Sequence, residues 1–172
     1  MYIQNEDSFS RIKRELAEVR KSDALASIGG AAGPIKKSDL YHWKACFIGP
    51  KNTGYDGGLF RLLIDFPKDY PNSKPDVNFK YPVFHPNVDC RFLDVNKPEG
   101  KYHICIENLN NWDPNYSIVS IIQSIHNLLS KPNESDGYGS LDSTKLLLAG
   151  KKEEFKSKCN EWVRKYSTIY NK

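Results

Sequence analysis

"WKACFIGPKNTGYDGGLFRLLIDF", from Trp43 to Phe66, decides the architecture, because its apolar residues keep one rhythm on both sides of a turn. Trp43, Ala45 and Phe47 alternate with Lys44, Cys46 and Ile48; after the glycine-rich "PKNTGYDGG" the alternation resumes with Phe60, Leu62, Ile64 and Phe66. A period of two marks a strand with one buried face, and a glycine-rich break between two such runs predicts an antiparallel pair. Downstream, "PKDYPNSKP" reads as an irregular connection and "DVNF" as a third short strand. Upstream, "SIGGAAGP" reads as a loop or hairpin turn, and "DALASI" as a fourth strand at the sheet edge.

The flanks switch to a helical period. Phe9, Ile12, Leu16 and Val19 recur at three- and four-residue spacing, which predicts a helix from Asp7 to about Lys21, with Glu6 and Asp7 at its N-terminus. "SIVSIIQSIHNLL" presents Ile118, Ile121, Ile122, Ile125, Leu128 and Leu129, so a broadly apolar central helix is expected, capped by Ser117 and stopped before Pro132. A short helix from Leu141 to Ala149 ends at Gly150, and a last one carries Phe155, Cys159, Trp162 and Tyr166 on a core face. Between strands and central helix, Tyr81 to Pro114 shows no sustained period; a loop of that length in a compact domain is usually functional. The order predicts an α+β domain: an N-terminal helix, a four-stranded antiparallel meander, a long loop carrying the site, a central helix and two C-terminal helices.

Composition bounds the function. The 172 residues suit one domain, 1–172, and 39% hydrophobic with 27% charged residues describes a folded chain rather than a disordered one. No run is long enough to span a membrane, and the polar N-terminus "MYIQNEDSFS" lacks a signal peptide's apolar centre. Four irregularly spaced cysteines then point to reduced thiols and a cytoplasmic home, with the nucleus left open. The net charge of +4 is divided between an N-terminal group (Arg11, Lys13, Arg14, Arg20, Lys21) and a C-terminal group (Lys151, Lys152, Lys156, Lys158, Arg164, Lys165). Nucleic-acid binders concentrate charge on one aromatic-studded face, so solvated surface or an acidic protein partner is the better reading.

The chemistry concentrates in "VFHPNVDCRFLDVNKPEGKYHICIENLNNW", Val83 to Trp112, which holds two of the four cysteines and two of the four histidines. Its thiols have three readings: a nucleophile, a metal site, or packing. His85, Cys90, His103 and Cys105 are possible zinc ligands, but His-x4-Cys and His-x-Cys match no common zinc pattern, and no metal is assigned. A cysteine protease would need one of the histidines as an oriented base, and none of the protease signatures occurs. His85, beside Pro86, reads as scaffold and His103 as exposed. Cys46 and Cys159 fall on or near apolar faces and are expected in the core, whereas Cys90, in polar surroundings, is expected to be exposed and open to oxidation. Trp162 and Tyr166 read as core, and Tyr55, Gly57 and Gly58 as turn architecture.

Taken in order, the motifs resemble those of the ubiquitin-conjugating enzymes over nearly the whole chain, from "RIKREL" to "EWVRKY". Gly49-Pro50, Thr53, Tyr55 and Gly57-Gly58-Leu59-Phe60 match the family turn. Phe66-Pro67, Tyr70-Pro71, His85-Pro86-Asn87, Ile104-Cys105, Trp112-Asp113-Pro114, Pro132-Asn133, Asp136 and Trp162-Val163-Arg164-Lys165-Tyr166 follow in sequence. The resemblance implies a UBC-like fold and an enzyme that carries ubiquitin, or a ubiquitin-like protein, as a thioester on Cys105 before passing it to a substrate lysine. Thioester chemistry needs a thiol, both a good nucleophile and a good leaving group. Asn87 would donate to the oxyanion or hold the cysteine loop, with His85 and Pro86 in support, and Asp136 would orient the lysine. A carboxylate alone raises an amine's pKa, so desolvation by neighbours such as Tyr138 would have to lower it. No cofactor is implied. The partners implied are the activating enzyme and a RING-type or other ligase, meeting Arg11, Arg14 and the segments of Asn72, Pro114 and Asn115.

The chain departs from the family pattern in three places. The connection between Asn87 and Cys105 is longer by about ten residues, an insert at roughly 89–102. The loop after Cys105 is shorter by about one. Asn72 and Asn115 stand where relatives carry an aromatic and a small residue for ligase docking, which predicts weak activity with generic RING domains. Two other functions share the motifs: a silent ubiquitin-binding scaffold of the same fold, and an enzyme for a different ubiquitin-like modifier.

Overall fold

A computed structural model describes residues 6–137 and 141–168, apart from the side chains of Asp136 and Leu141. Helix α1 (Ser8–Lys21) starts where the Asp7 carboxylate accepts the Ser10 N–H at 2.9 Å, and it ends with Arg20 and Lys21 against the helix dipole. Its buried stripe is Arg11, Ile12, Glu15 and Val19, while Phe9 is 45% exposed. The expected apolar face is therefore rotated, because Arg11 and Glu15 satisfy each other and can turn inward.

"DALASI" is not a strand. Asp23–Ser27 forms a short helix, α2, capped by Ser22, whose hydroxyl accepts the Leu25 N–H at 3.1 Å. A serine cap followed by alanines favours helix over an edge strand. The edge is instead β1 (Ala31–Lys36), taken from the stretch expected to be a turn. Pro34 is tolerated there because an outer strand has a free side for the missing N–H. Then follow β2 (Asp39–Ile48), β3 (Leu59–Asp65), β4 (Asp76–Phe79) and a two-residue β5 (Tyr102–His103), hydrogen-bonded antiparallel in the order β1-β2-β3-β4-β5. The expected four-stranded meander is thus five-stranded, with β5 drawn from the long aperiodic stretch.

Registers Trp43↔Ile64 and Phe47↔Phe60 place the predicted residues on one face. That face packs against α4 (Ile118–Ser130), whose Ile118, Ile121, Ile122 and Ile125 are fully buried. Truncating one of them to alanine would cost about 2–5 kcal/mol, the range for a buried isoleucine that leaves a cavity. Ser117 and Ser120 cap α4 reciprocally at 3.1 Å each. Cys46, expected in the core, lies half-buried on the opposite sheet face, as strict alternation from Ala45 and Phe47 requires. Helices α5 (Leu141–Leu148) and α6 (Lys152–Tyr166) close the chain, with Phe84 in tilted ring contact with both Phe155 and Trp162 at centroid distances of 5.8 and 5.5 Å. The 49–58 turn lies against α6 so closely that a Cβ on Gly54 would sit 2.5 Å from the Cys159 Cβ. Among the described residues no helix is long and apolar enough to cross a membrane.

Candidate active site

The site grows from a buried irregular strip, Val83 to Val88. Buried chain without regular secondary structure must find partners for its polar groups elsewhere. The Phe84 carbonyl accepts the Tyr55 hydroxyl at 2.7 Å and the Cys159 thiol at 3.6 Å, so Tyr55 is a core residue as well as a turn residue. His85, fully buried, uses both ring nitrogens: Nδ1 accepts the Asn87 N–H at 3.0 Å and Nε2 donates to the Leu128 carbonyl at 2.9 Å. Burial pushes the His85 pKa down to about 4, so the ring is neutral and acts as a fixed strut.

Asn87 is also fully buried. Its Nδ2 donates to the Asn133 carbonyl and its Oδ1 accepts the Asn133 N–H, both at 2.9 Å. Its own carbonyl accepts the Cys105 N–H at 2.8 Å, and Val88 bridges Ile104. A further bond, from the Asp89 N–H to the His103 carbonyl at 2.9 Å, helps fix where the cysteine emerges. The strip is therefore zipped to the cysteine segment on one side and clamped to the end of α4 on the other.

Cys105 is 8% exposed and lines a cleft of about 280 Å³ between the segment that follows it and α4, together with Glu107, Asn108, Asn127, Leu128 and Lys131. The segment after it turns into a four-residue helix, α3 (Glu107–Asn110), anchored by buried Leu109. From its last residue the Asn110 Nδ2 donates to the Cys105 sulfur at 3.3 Å.

The family model described as ubiquitin-conjugating enzyme matches residues 11–163. The chain belongs to the ubiquitin-conjugating enzyme family. Members act as transferases of the ubiquitin-like conjugation pathway and work with ubiquitin-like proteins, an activating enzyme and ligases.

In this member of the family the other thiols are placed differently. Cys90, expected to be exposed, is 7% exposed; its thiol donates to the Val83 carbonyl at 3.4 Å, and burial pushes its pKa up to about 12. The zipper between Asn87 and Cys105 folds Cys90 inward, which its polar sequence neighbours concealed. Burial likewise raises Cys159 to about 12. With both His85 nitrogens held by backbone, the suggested zinc set does not assemble; among the described residues no group of three or more His, Cys, Asp or Glu is placed to hold a metal. His103 is exposed, as expected.

The docking positions divide. Arg14 is exposed and forms a bidentate pair with Glu6, at 3.1 and 2.6 Å. Arg11, expected at the surface, is 7% exposed: its Nε donates to Glu15 at 3.0 Å and its Nη2 to the Tyr116 carbonyl at 2.9 Å. Glu15 also accepts the Tyr70 hydroxyl at 2.7 Å and the Ile118 N–H at 2.9 Å, so this pair joins α1, the Tyr70 segment and the start of α4. Asn72, Pro114 and Asn115 are exposed, and the Trp112 indole, donating to the Pro71 carbonyl at 2.7 Å, draws their two segments together. Asp136 has its backbone in a 3-10 turn, Glu134–Asp136, but its side chain and Tyr138 lie outside the described residues. Sequence reading gave no role to Asn133, Asn110 or Glu15. Only Asn133 had a signal, its place in the Pro132-Asn133 motif, and its partner lies 46 residues away.

Proposed function

We propose that the protein accepts ubiquitin, or a ubiquitin-like protein, from an activating enzyme as a thioester on Cys105 and transfers it to a substrate lysine. The observation that carries this is that Cys105 lines the cleft beside α4 with its backbone N–H held by the carbonyl of buried Asn87, whereas Cys90 and Cys159 bond to backbone carbonyls and Cys46 lines a separate groove on the far sheet face, away from the 83–88 strip. In charging, the Cys105 sulfur attacks the incoming thioester carbonyl and the activating enzyme's thiol leaves. In discharge, the lysine nitrogen attacks the acyl carbon and the Cys105 sulfur leaves.

The Asn87 carboxamide is held at both ends by the Asn133 backbone, which favours its role as a brace for the cysteine segment. Asp136 would orient the incoming lysine and receive its proton. Arg14 and the exposed segments around Asn72, Pro114 and Asn115 are the proposed meeting places for the activating enzyme and ligase, with asparagines in place of apolar contacts.

We take residues 1–172 as one domain with an insert at about 89–102. A silent scaffold would require the insert to obstruct the cleft. Instead Glu99 pairs with Lys80 at 2.9 Å, the Gly100 N–H bonds the Lys80 carbonyl at 2.9 Å, and no residue of 89–102 lines the cleft. Incubation with activating enzyme, ATP and several purified modifiers should yield one reducible adduct. Cys105→Ser should convert it to an ester that resists thiols but not alkali, and Cys90→Ser should still form the thioester. A thioester that survives in Cys105→Ser and disappears in Cys90→Ser would overturn the assignment.

A further inference from the structure

The Asn110 side chain is not needed to hold its own helix. Its backbone N–H already bonds the Ile106 carbonyl at 3.0 Å, and the residues on either side have separate anchors. Lys74 donates to the Leu109 carbonyl at 3.0 Å, Asn111 donates to the Glu107 carboxylate at 3.0 Å, and the Trp112 indole bonds Pro71. Asn110 is exposed, so its carboxamide has water available as a partner, yet its Nδ2 lies 3.3 Å from the Cys105 sulfur. A neutral amide N–H aimed at sulfur gains most when that sulfur carries charge, because hydrogen bonds to ionised acceptors are roughly twice as strong as neutral ones.

We propose that Asn110 is a catalytic hydrogen-bond donor that stabilises the Cys105 sulfur as it leaves the acyl carbon. This rests on the thioester reading above. In transfer, the amine lone pair adds to the acyl carbon and the C–S bond breaks with its electron pair on sulfur. The proton released by the amine passes to the proposed acceptor Asp136 and from there to solvent, and the thiolate afterwards takes a proton from water. Asn110 keeps its own protons throughout and supplies only the hydrogen bond. Charging is less sensitive than discharge, because stabilising a thiolate raises its population while lowering its nucleophilicity.

The test is single-turnover discharge of the purified thioester to free lysine and to hydroxylamine, without ligase. Asn110→Leu keeps the shape without the N–H and should slow discharge about tenfold, the worth of one hydrogen bond to a charged acceptor. Asn110→Asp keeps the shape but sets a carboxylate against the sulfur, and should be slower still. Asn110→Gln, which retains the amide, should recover part of the loss. A structural role would instead leave the near-isosteric aspartate close to wild type, and that result overturns the inference, as does an unchanged rate in Asn110→Leu.

A second readout needs no modifier. Alkylation of Cys105 by iodoacetamide at one fixed pH, followed by mass spectrometry of the Cys105 peptide to separate it from half-buried Cys46, should slow about threefold in Asn110→Leu, since population and nucleophilicity partly offset. A wild-type protein that forms no modifier adduct on Cys105 with activating enzyme and ATP would sink the thioester reading. The hydrogen bond is then judged by alkylation, and equal rates in wild type, Asn110→Leu and Asn110→Asp overturn it.

Discussion

Residues 83–88 and residues 91–101 are both irregular chain, separated by little more than Cys90, and they meet solvent in opposite ways. Every residue from Val83 to Val88 is buried, whereas Phe92 is 90% exposed, and most of its neighbours up to Lys101 are exposed with it. The first strip is held by bonds to residues far along the chain: Tyr55, Leu128, Asn133 and Cys105. The second is held along its length by near neighbours, such as Asp89 to Arg91 at 2.7 Å and Tyr102 to Pro98 at 2.8 Å, and reaches distant chain only at its end, through Glu99 to Lys80 and Lys101 to Asp65 and Asp76. Lack of secondary structure therefore says nothing about burial; the reach of the hydrogen bonds goes with it.

Three measurements would break or sharpen this contrast. The largest effect should come from acid. His85 is neutral when folded with a pKa near 4, against an ordinary value of 6.5, so below 6.5 the unfolded chain binds the extra proton. Stability is complete above pH 6.5 and should fall by about 3 kcal/mol as pH drops from 6.5 to 4, relative to a His85→Gln variant. Urea unfolding across that range checks it, and parallel curves for the two proteins would show that the strip does not depend on a neutral ring.

Next, Asn87→Ala removes both bonds to Asn133. We expect a loss of about 2 kcal/mol, limited because water can reach exposed Asn133. With the brace lost from the cysteine segment, charging and discharge should slow together, whereas loss of an oxyanion donor would leave charging close to normal and slow discharge to lysine by about a hundredfold. Loss of discharge without loss of stability would move Asn87 from brace to oxyanion donor. The smallest effect belongs to the other strip: Phe92→Ser should change stability by no more than about 0.5 kcal/mol, as for surface substitutions generally. A larger loss would mean that 91–101 is packed and not merely attached.

The strands around Trp43 to Phe66 were legible because alternation is a local signal, and α4 because its isoleucines follow one period. What failed did so where polar groups are satisfied over distance. Phe9 took precedence over Arg11 and Glu15 in the predicted stripe, since nothing in α1 announces a tyrosine hydroxyl and a helix N-terminus waiting to receive Glu15. Cys90 was misplaced for the same reason, its polar neighbours giving no sign of the Val83 carbonyl. The first strand was lost to propensity: "AAGP" reads as a turn unless an adjacent strand is there to pair with it.

By itself, the sequence determined the α+β order, the sheet-on-helix core, the family and the short set of residues able to carry thiol chemistry. Those follow from period, from turn residues and from the order of motifs, all of which are properties of the chain taken in line. Tertiary structure decided that Cys105 opens on the cleft beside α4, that Cys46 opens on a groove of the far sheet face and that Cys90 and Cys159 are sealed, that Arg11 is an inner brace and not a surface contact, and that Asn110 reaches the sulfur. Burial and hydrogen-bond direction depend on what the fold brings alongside each residue, and a buried polar group is tolerated only when a partner arrives from elsewhere in the chain.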